Sequence, residues 1–139
     1  PFRRGCLTAR AFRGDELVDS CSLVSAYKAE RLLVKPDRTE LKADGQDLSF
    51  VALELTDRDG NPVQVDDRLV SVTVEGPARL RGVDSADLRR TLPFGSSSVK
   101  TWLGRAQAVV QTTREAGDIS VSISVDGFPD SIECKLTSK

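Results

Sequence analysis

The chain has 139 residues, enough for one ordinary domain with its own core. Its 20 Lys+Arg and 21 Asp+Glu leave a net charge of -1, which argues against a nucleic-acid or acidic membrane surface as partner. Histidine is absent, which excludes the usual Ser-His-Asp and Cys-His pairs and the commonest zinc ligand.

No Gly-rich phosphate loop of the GxGxxG or GxxxxGK[ST] type occurs, so no cofactor is expected. Aromatics are few (one Trp, one Tyr, five Phe), so the core must be built from Val, Leu, Ile and Ala. No apolar run approaches the roughly 20 residues of a membrane span, and the start does not resemble a signal peptide. With no methionine and an opening of Pro1-Phe2-Arg3-Arg4-Gly5-Cys6, the chain reads as a piece of a longer protein.

Residues 6–24 read as a hairpin, strands 6–12 and 17–24 flanking the turn Arg13-Gly14-Asp15-Glu16. With Gly14 and Asp15 central, Arg10 falls opposite Asp19 and Phe12 opposite Leu17. Arg13-Gly14-Asp15 is the tripeptide that integrins read, but a hairpin tip wants a Gly in any case. An isolated two-stranded hairpin is marginal in water. It is therefore expected to lie on the main body or to pair with a second copy, as a weak homodimer through residues 1–30.

A polar connector, 25–31, leads to a short strand at 32–35. A break at Pro36-Asp37 follows, and the chain resumes at 39–43, a first strand with a kink. Residues 44–63, DGQDLSFVALELTDRDGNPV, are the centre of the pattern. Val51, Leu53 and Leu55 fall on every second residue, as a half-buried strand needs. Asp57-Arg58-Asp59-Gly60-Asn61-Pro62 then closes it with turn chemistry. Val63 and Val65 suggest a short edge strand.

Residues 69–75 alternate again, Gly76-Pro77 breaks them, and 79–83 resume. Residues 84–100, with Pro93, Gly95 and Ser96-Ser97-Ser98, form the least strand-like stretch, and a loop this long usually has a use. Strand character returns over 102–112 with Ala106, Ala108 and Val110 inward. Ile119, Val121, Ile123 and Val125, interleaved with serines, give the cleanest alternation. Ile132, Cys134 and Leu136 mark the last strand. No helical periodicity is sustained, and about seven strands with regular turn signals predict an all-β, immunoglobulin-like sandwich preceded by a β-hairpin.

The run DGQDLSFVALELTDRDGNPV, then VSVTVEGPARLRGVD, then WLGRAQAVVQTTREAGDISVSISVDG, resembles the C-terminal immunoglobulin-like domain of bacterial glycoside hydrolase family 2 enzymes, many of them β-galactosidases. The likeness covers roughly residues 31–137. DxDGNPV alone also occurs in Ig-like adhesion repeats, and the specific part is the combination of DGQDLSFV, VEGP and LGRAQAVVQ followed by AGDI. The leading residues 1–30 are similar to the last two strands, plus linker, of the sandwich that precedes this domain in those enzymes. The resemblance therefore implies two units, 1–30 and 31–139. It also implies a non-catalytic accessory role with the catalytic glutamates in an upstream barrel, other domains of the parent as partners, and a periplasmic or secreted parent. Asp84-Ser85-Ala86-Asp87-Leu88-Arg89-Arg90 departs from the Gly- and Asn-rich turn that the family carries there.

Two alternatives stay open: a carbohydrate-binding module and, less favoured because the unit is not repeated, an adhesion repeat. For sugar contact the candidates are Trp102, whose indole could cover the C–H face of a pyranose beside the Ser-rich loop, and then Phe94 and Tyr27. The competing reading packs these rings at the sandwich edge or against a neighbouring domain. Asp57, Asp59 and Asn61 alternate like calcium ligands, but the twelfth-position Glu and flanking helices of an EF-hand are missing, so a turn capped by its own Asp is expected. Arg79, Arg81, Arg89 and Arg90 form a basic spot, the first two solvated near Asp84 and Asp87, without aromatics interleaved for base stacking. Cys6, Cys21 and Cys134 offer no CxxC pair, Cys134 is expected to be buried, and the disulfide state of Cys6 and Cys21 is left undecided.

Overall fold

The structure is a computed structural model that describes residues 3–139, so Pro1 and Phe2 of the expected leading unit lie outside the described residues. Among the described residues every regular element is a strand. β1 (Cys6–Arg13) and β2 (Glu16–Val24) form a two-stranded hairpin. Nine more strands form two facing sheets: β3 (Arg31–Pro36), β4 (Glu40–Leu41), β5 (Leu48–Thr56), β6 (Leu69–Glu75), β7 (Ala78–Asp84), β8 (Ser98–Lys100), β9 (Arg105–Thr112), β10 (Gly117–Val125) and β11 (Ile132–Ser138). One sheet has the order β3-β5-β9-β7, the other β4-β11-β10-β6-β8.

The expected sandwich is there, with nine strands in place of about seven. The kink at Pro36-Asp37 makes the difference at one edge. β3 pairs antiparallel with β5, and after the break β4 crosses to the other sheet and pairs parallel with β11. At the other edge, Ser98–Lys100 of the supposed loop pairs with β6, placing Val99 in the core. Three residues between a Ser run and a turn are too few to announce a strand by alternation.

Alternation sends one face of each strand inward. Val51, Leu53 and Leu55 of β5 face Ile119, Val121 and Ile123 of β10 across the interior, and all six are buried. Ala106 and Ala108 on β9 complete the layer with small side chains. Cys134 is buried among them, and desolvation raises its thiol pKa, which disfavours the reactive thiolate.

Three expectations need correction. Val63 and Val65 form no strand: the Val63 side chain is buried and its N–H donates to the Leu55 carbonyl, while Val65 stands 93% exposed in a loop. β9 begins at Arg105, because Trp102 and Arg105 close a two-residue turn of their own. And the hairpin does not lie on the sandwich, since every residue of both strands is exposed. Its register matches at Phe12–Leu17 but slips above it: a bulge at Val18 sets Ala11 opposite Asp19 and Arg10 opposite Ser20. The register also separates the hairpin thiols. Cys6 faces Val24 and Cys21 faces Ala9, three rows apart on opposite faces, roughly 10 Å along the strand and beyond disulfide reach.

The turn at Leu103-Gly104 has positive φ at both central residues, 49° and 75°, the pattern of a type I′ hairpin. Gly104 is obligatory twice over, because a Cβ there would also overlap the Val63 carbonyl oxygen. Leu103 is the unusual member, an apolar branched residue where Asn is favoured. Urea denaturation of two variants checks this. Gly104→Ala should lose about 3 kcal/mol or more. Leu103→Asn should gain about 0.5–1 kcal/mol, and a loss there would show that the turn is not strained.

Candidate functional site

The strands bring one set of loops together at the end where the hairpin joins: the linker 25–30, the turn after β5, the loop 62–68, the long loop 85–97 and the turn 102–105. The register fixes this grouping, since Thr56 pairs with Arg31, Asp84 with Gln107 and Leu69 with Lys100.

Asp57 ties the first of these segments. Its side chain is buried. Oδ2 accepts the Tyr27 N–H at 3.0 Å, and Oδ1 accepts the N–H groups of Asp59 at 3.0 Å and Asn61 at 2.9 Å. The Asn61 side-chain amide donates to both oxygens, at 3.3 and 3.1 Å. These donors hold Asp57 at about 2, the Tyr27 N–H first among them, against burial, which alone would raise it. The alternating Asp-x-Asp-x-Asn pattern thus builds a turn whose first carboxylate is occupied by N–H donors, and Asp59 pairs with Arg58 at 3.7 Å.

Asp67 does similar work nearby. Its Oδ1 accepts the Gly104 N–H at 2.8 Å and the Thr101 hydroxyl at 3.3 Å. Arg68 beside it grips Asp66 through two bonds, 2.9 and 2.8 Å, and reaches the Asp126 carbonyl. Sequence reading missed Asp67. Its partner lies 37 residues away, and Asp66-Asp67-Arg68 looks like any solvated charge run.

The three candidate sugar-contacting rings each meet an arginine. Trp102 is half-buried, with the Arg89 guanidinium 4.6 Å from its ring centroid. Arg89 is itself held by Asp87 through bonds of 2.9 and 3.2 Å, which lower the Asp87 pKa. Phe94 is 84% exposed, with Arg90 5.3 Å away. Tyr27 lies in the linker between Arg4 at 4.2 Å and Arg58 at 5.6 Å. Trp102 and Phe94 thus share the long loop through Arg89 and Arg90, while Tyr27 belongs to the hairpin joint.

The basic spot resolves into pairs. Asp84 is taken by Arg90 at 2.8 Å and Asp87 by Arg89, not by Arg79 or Arg81. A bulge between Leu80 and Gly82 displaces the strand at Arg81, and both Arg79 and Arg81 are exposed.

The fold is a two-sheet immunoglobulin-like sandwich whose hairpin-end turn is closed on one buried carboxylate, Asp57. The model of the glycoside hydrolase family 2 C-terminal domain 5 matches residues 32–132, and the chain belongs to that family. The β-galactosidase BoGH2A of Bacteroides ovatus is 28% identical over 131 residues, 94% of this chain and 15% of that protein. A glycosyl hydrolase family 2 member from Bacteroides cellulosilyticus superposes on 100% of this chain, which covers 18% of it, with TM-score 0.92 and 35% identity. A beta-glycosidase from Bacteroides vulgatus gives TM-score 0.90 at 20% identity over 99% of this chain and 18% of its own, a likeness of fold. This chain therefore spans less than a fifth of each of these three relatives.

The motif residues that mark the family do structural work here. Asp57 and Asn61 of DxDGNPV close the turn, and Gly104 of the LGRA run packs on Val63. The glycine of VEGP, Gly76, has φ 96° and lies so close to the Asp118 carbonyl oxygen that a Cβ would overlap it.

The Asp57 carboxylate makes a pH prediction. Its folded pKa lies below the ordinary value of about 3.8, so its contribution to stability is complete above about pH 4 and is lost as pH falls toward 2. Asp57→Ala should lower Tm at neutral pH by about 10 °C. It should also flatten the decline of Tm between about pH 4 and 2. An unchanged acid limb in the variant would show that other carboxylates set it.

Proposed function

We propose that this chain is a non-catalytic accessory domain at the C-terminal side of a family 2 glycoside hydrolase of the β-galactosidase type, and that its partners are the other domains of that enzyme. The family match over residues 32–132 carries the reading. The disposition of the acids agrees with it. Glycoside hydrolysis needs two carboxyls facing one bond, about 5–5.5 Å or 6.5–9.5 Å apart. Here Asp57 is engaged by backbone donors, while Glu54, Asp66, Asp84 and Asp87 are each tied to an arginine.

In this reading residues 1–30 are the terminal hairpin of the preceding domain, and residues 31–139 are the accessory sandwich. The hairpin edges are completed by upstream strands in the whole enzyme; in the chain alone they are open to a second copy. The proposal extends to a parent that works in the periplasm or outside the cell. A sugar stacking on the near face of Trp102 has to displace Arg89 from the indole, which favours the scaffolding role over a carbohydrate-binding module.

Hydrolysis of p-nitrophenyl β-galactoside tests the proposal. The 139-residue chain is expected to give no turnover above background, and the longer polypeptide that carries it to be active. Turnover that co-purifies with the folded chain would overturn it. Retardation of the chain in galactan gels that Trp102→Ala abolishes would replace it with the binding-module reading.

A further inference from the structure

The two ends of the sandwich differ in what they expose. The far end is closed by residues 42–47, 76–77 and 113–116, and none of the large exposed hydrophobic side chains lies on these loops. The hairpin end carries Val65 at 93% exposure, Leu88 at 99%, Phe94, Leu103 at 50%, and Tyr27 beside the hairpin base. Between the base of β2 and the loop 62–66 runs a groove of about 870 Å³, lined by Leu23, Val24, Tyr27, Pro62 and Val65 among others.

Building on the accessory-domain reading, we infer that this end is the docking face for the upstream part of the same polypeptide, with the loop 85–97 as its main contact. Four observations select that occupant. The hairpin rises from this end and is held to it by the Tyr27 N–H on Asp57 and the Glu30 N–H on the Thr56 carbonyl, so polypeptide preceding β1 arrives here. The relatives are more than five times as long as this chain, so a large upstream body is available to cover the face.

Five arginines of the face are already paired within the chain: Arg58 on Asp59, Arg68 on Asp66, Arg89 on Asp87, Arg90 on Asp84 and Arg105 on Glu54. A partner can cover these five pairs without stranding either ion of a pair. Finally, the apolar side chains are held out on ordered supports. The Arg89–Asp87 and Arg90–Asp84 pairs each bridge across Leu88, and Leu103 occupies a positive-φ position that folding alone would give to Asn.

Hydrogen exchange of the 139-residue chain and of the longer polypeptide tests this. In the longer polypeptide, amides of residues 63–68 and 86–94 should exchange at least about tenfold more slowly, with 43–47 and 114–116 unchanged. Leu88→Asp should move the Tm of the chain by no more than about 1–2 °C, because the side chain is fully exposed, and lower that of the longer polypeptide by more. Protection spread equally over both ends, or confined to the outer sheet faces, overturns the inference. Protection of 86–94 in the chain alone, brought on by raising its concentration or by adding galacto-oligosaccharide, also overturns it, since the occupant would then be a second copy or a sugar. Absence of glycosidase activity in the longer polypeptide would instead sink the accessory-domain reading, and the exchange pattern would still decide the docking face.

Discussion

The Asp57 carboxylate is the contact on which the hairpin end depends. It sits where β5 leaves the core and accepts backbone N–H groups from both sides, from the turn that follows and from the linker that precedes β3. A buried carboxylate survives because these donors replace water around it. The same few residues anchor the next loops. The Leu55 N–H donates to the Gly104 carbonyl, the Leu55 carbonyl accepts the Val63 N–H, and Gly104 in turn donates to Asp67. Four segments distant in sequence are thus registered on the last turn of one strand. The hairpin joint inherits its geometry from that lattice, since the Tyr27 ring is held between Arg4 of the leading segment and Arg58 of the turn.

This arrangement explains why the family motifs carry so little chemistry of their own. A motif is conspicuous in a sequence when few residue types satisfy a position. Gly104 and Gly76 are limited by positive φ and by neighbouring carbonyls, and Asp57 by the donors it must meet. Such residues specify a fold and a joint. A catalytic pair of carboxyls would instead have to be aimed at open space, whereas the acids of the Asp-x-Asp-x-Asn turn are taken by backbone N–H groups, at Asp57, and by Arg58, at Asp59.

Much of the fold was legible because alternation reports burial directly. Ile119, Val121, Ile123 and Val125 are all inward, with Ser120, Ser122 and Ser124 between them, as the period of two requires. Leu69–Glu75 reads equally plainly. The kink at Pro36-Asp37 was visible, but not that it moves the chain to the other sheet, because a sheet change is a tertiary event. Val65 and Leu103 misled in one way: both are strand-forming residues, and both stand in turns that long-range hydrogen bonds impose. Of the candidate site, the rings at 27, 94 and 102 could be picked out by chemistry alone. Their arginine partners at 4, 58, 89 and 90 could not, since nothing local tells a stacked guanidinium from a solvated one.

The two ends close their turns by one device, which makes their difference informative. At the far end Asp44 accepts the Gln46 and Asp47 N–H groups, and these bonds lower its pKa as those at Asp57 do. Asp47 then accepts the Lys42 N–H. That end needs no apolar side chain to be stable, and its exposed residues are polar or small. The hairpin end has the same self-sufficient polar closure, yet it exposes Leu88 and Phe94 to water on a loop already fixed by ion pairs. Neither side chain contributes much to the fold of the chain alone, because neither leaves water when it folds. A fully exposed leucine lowers free energy only when something covers it, so the apolar character of this end belongs to association and not to folding.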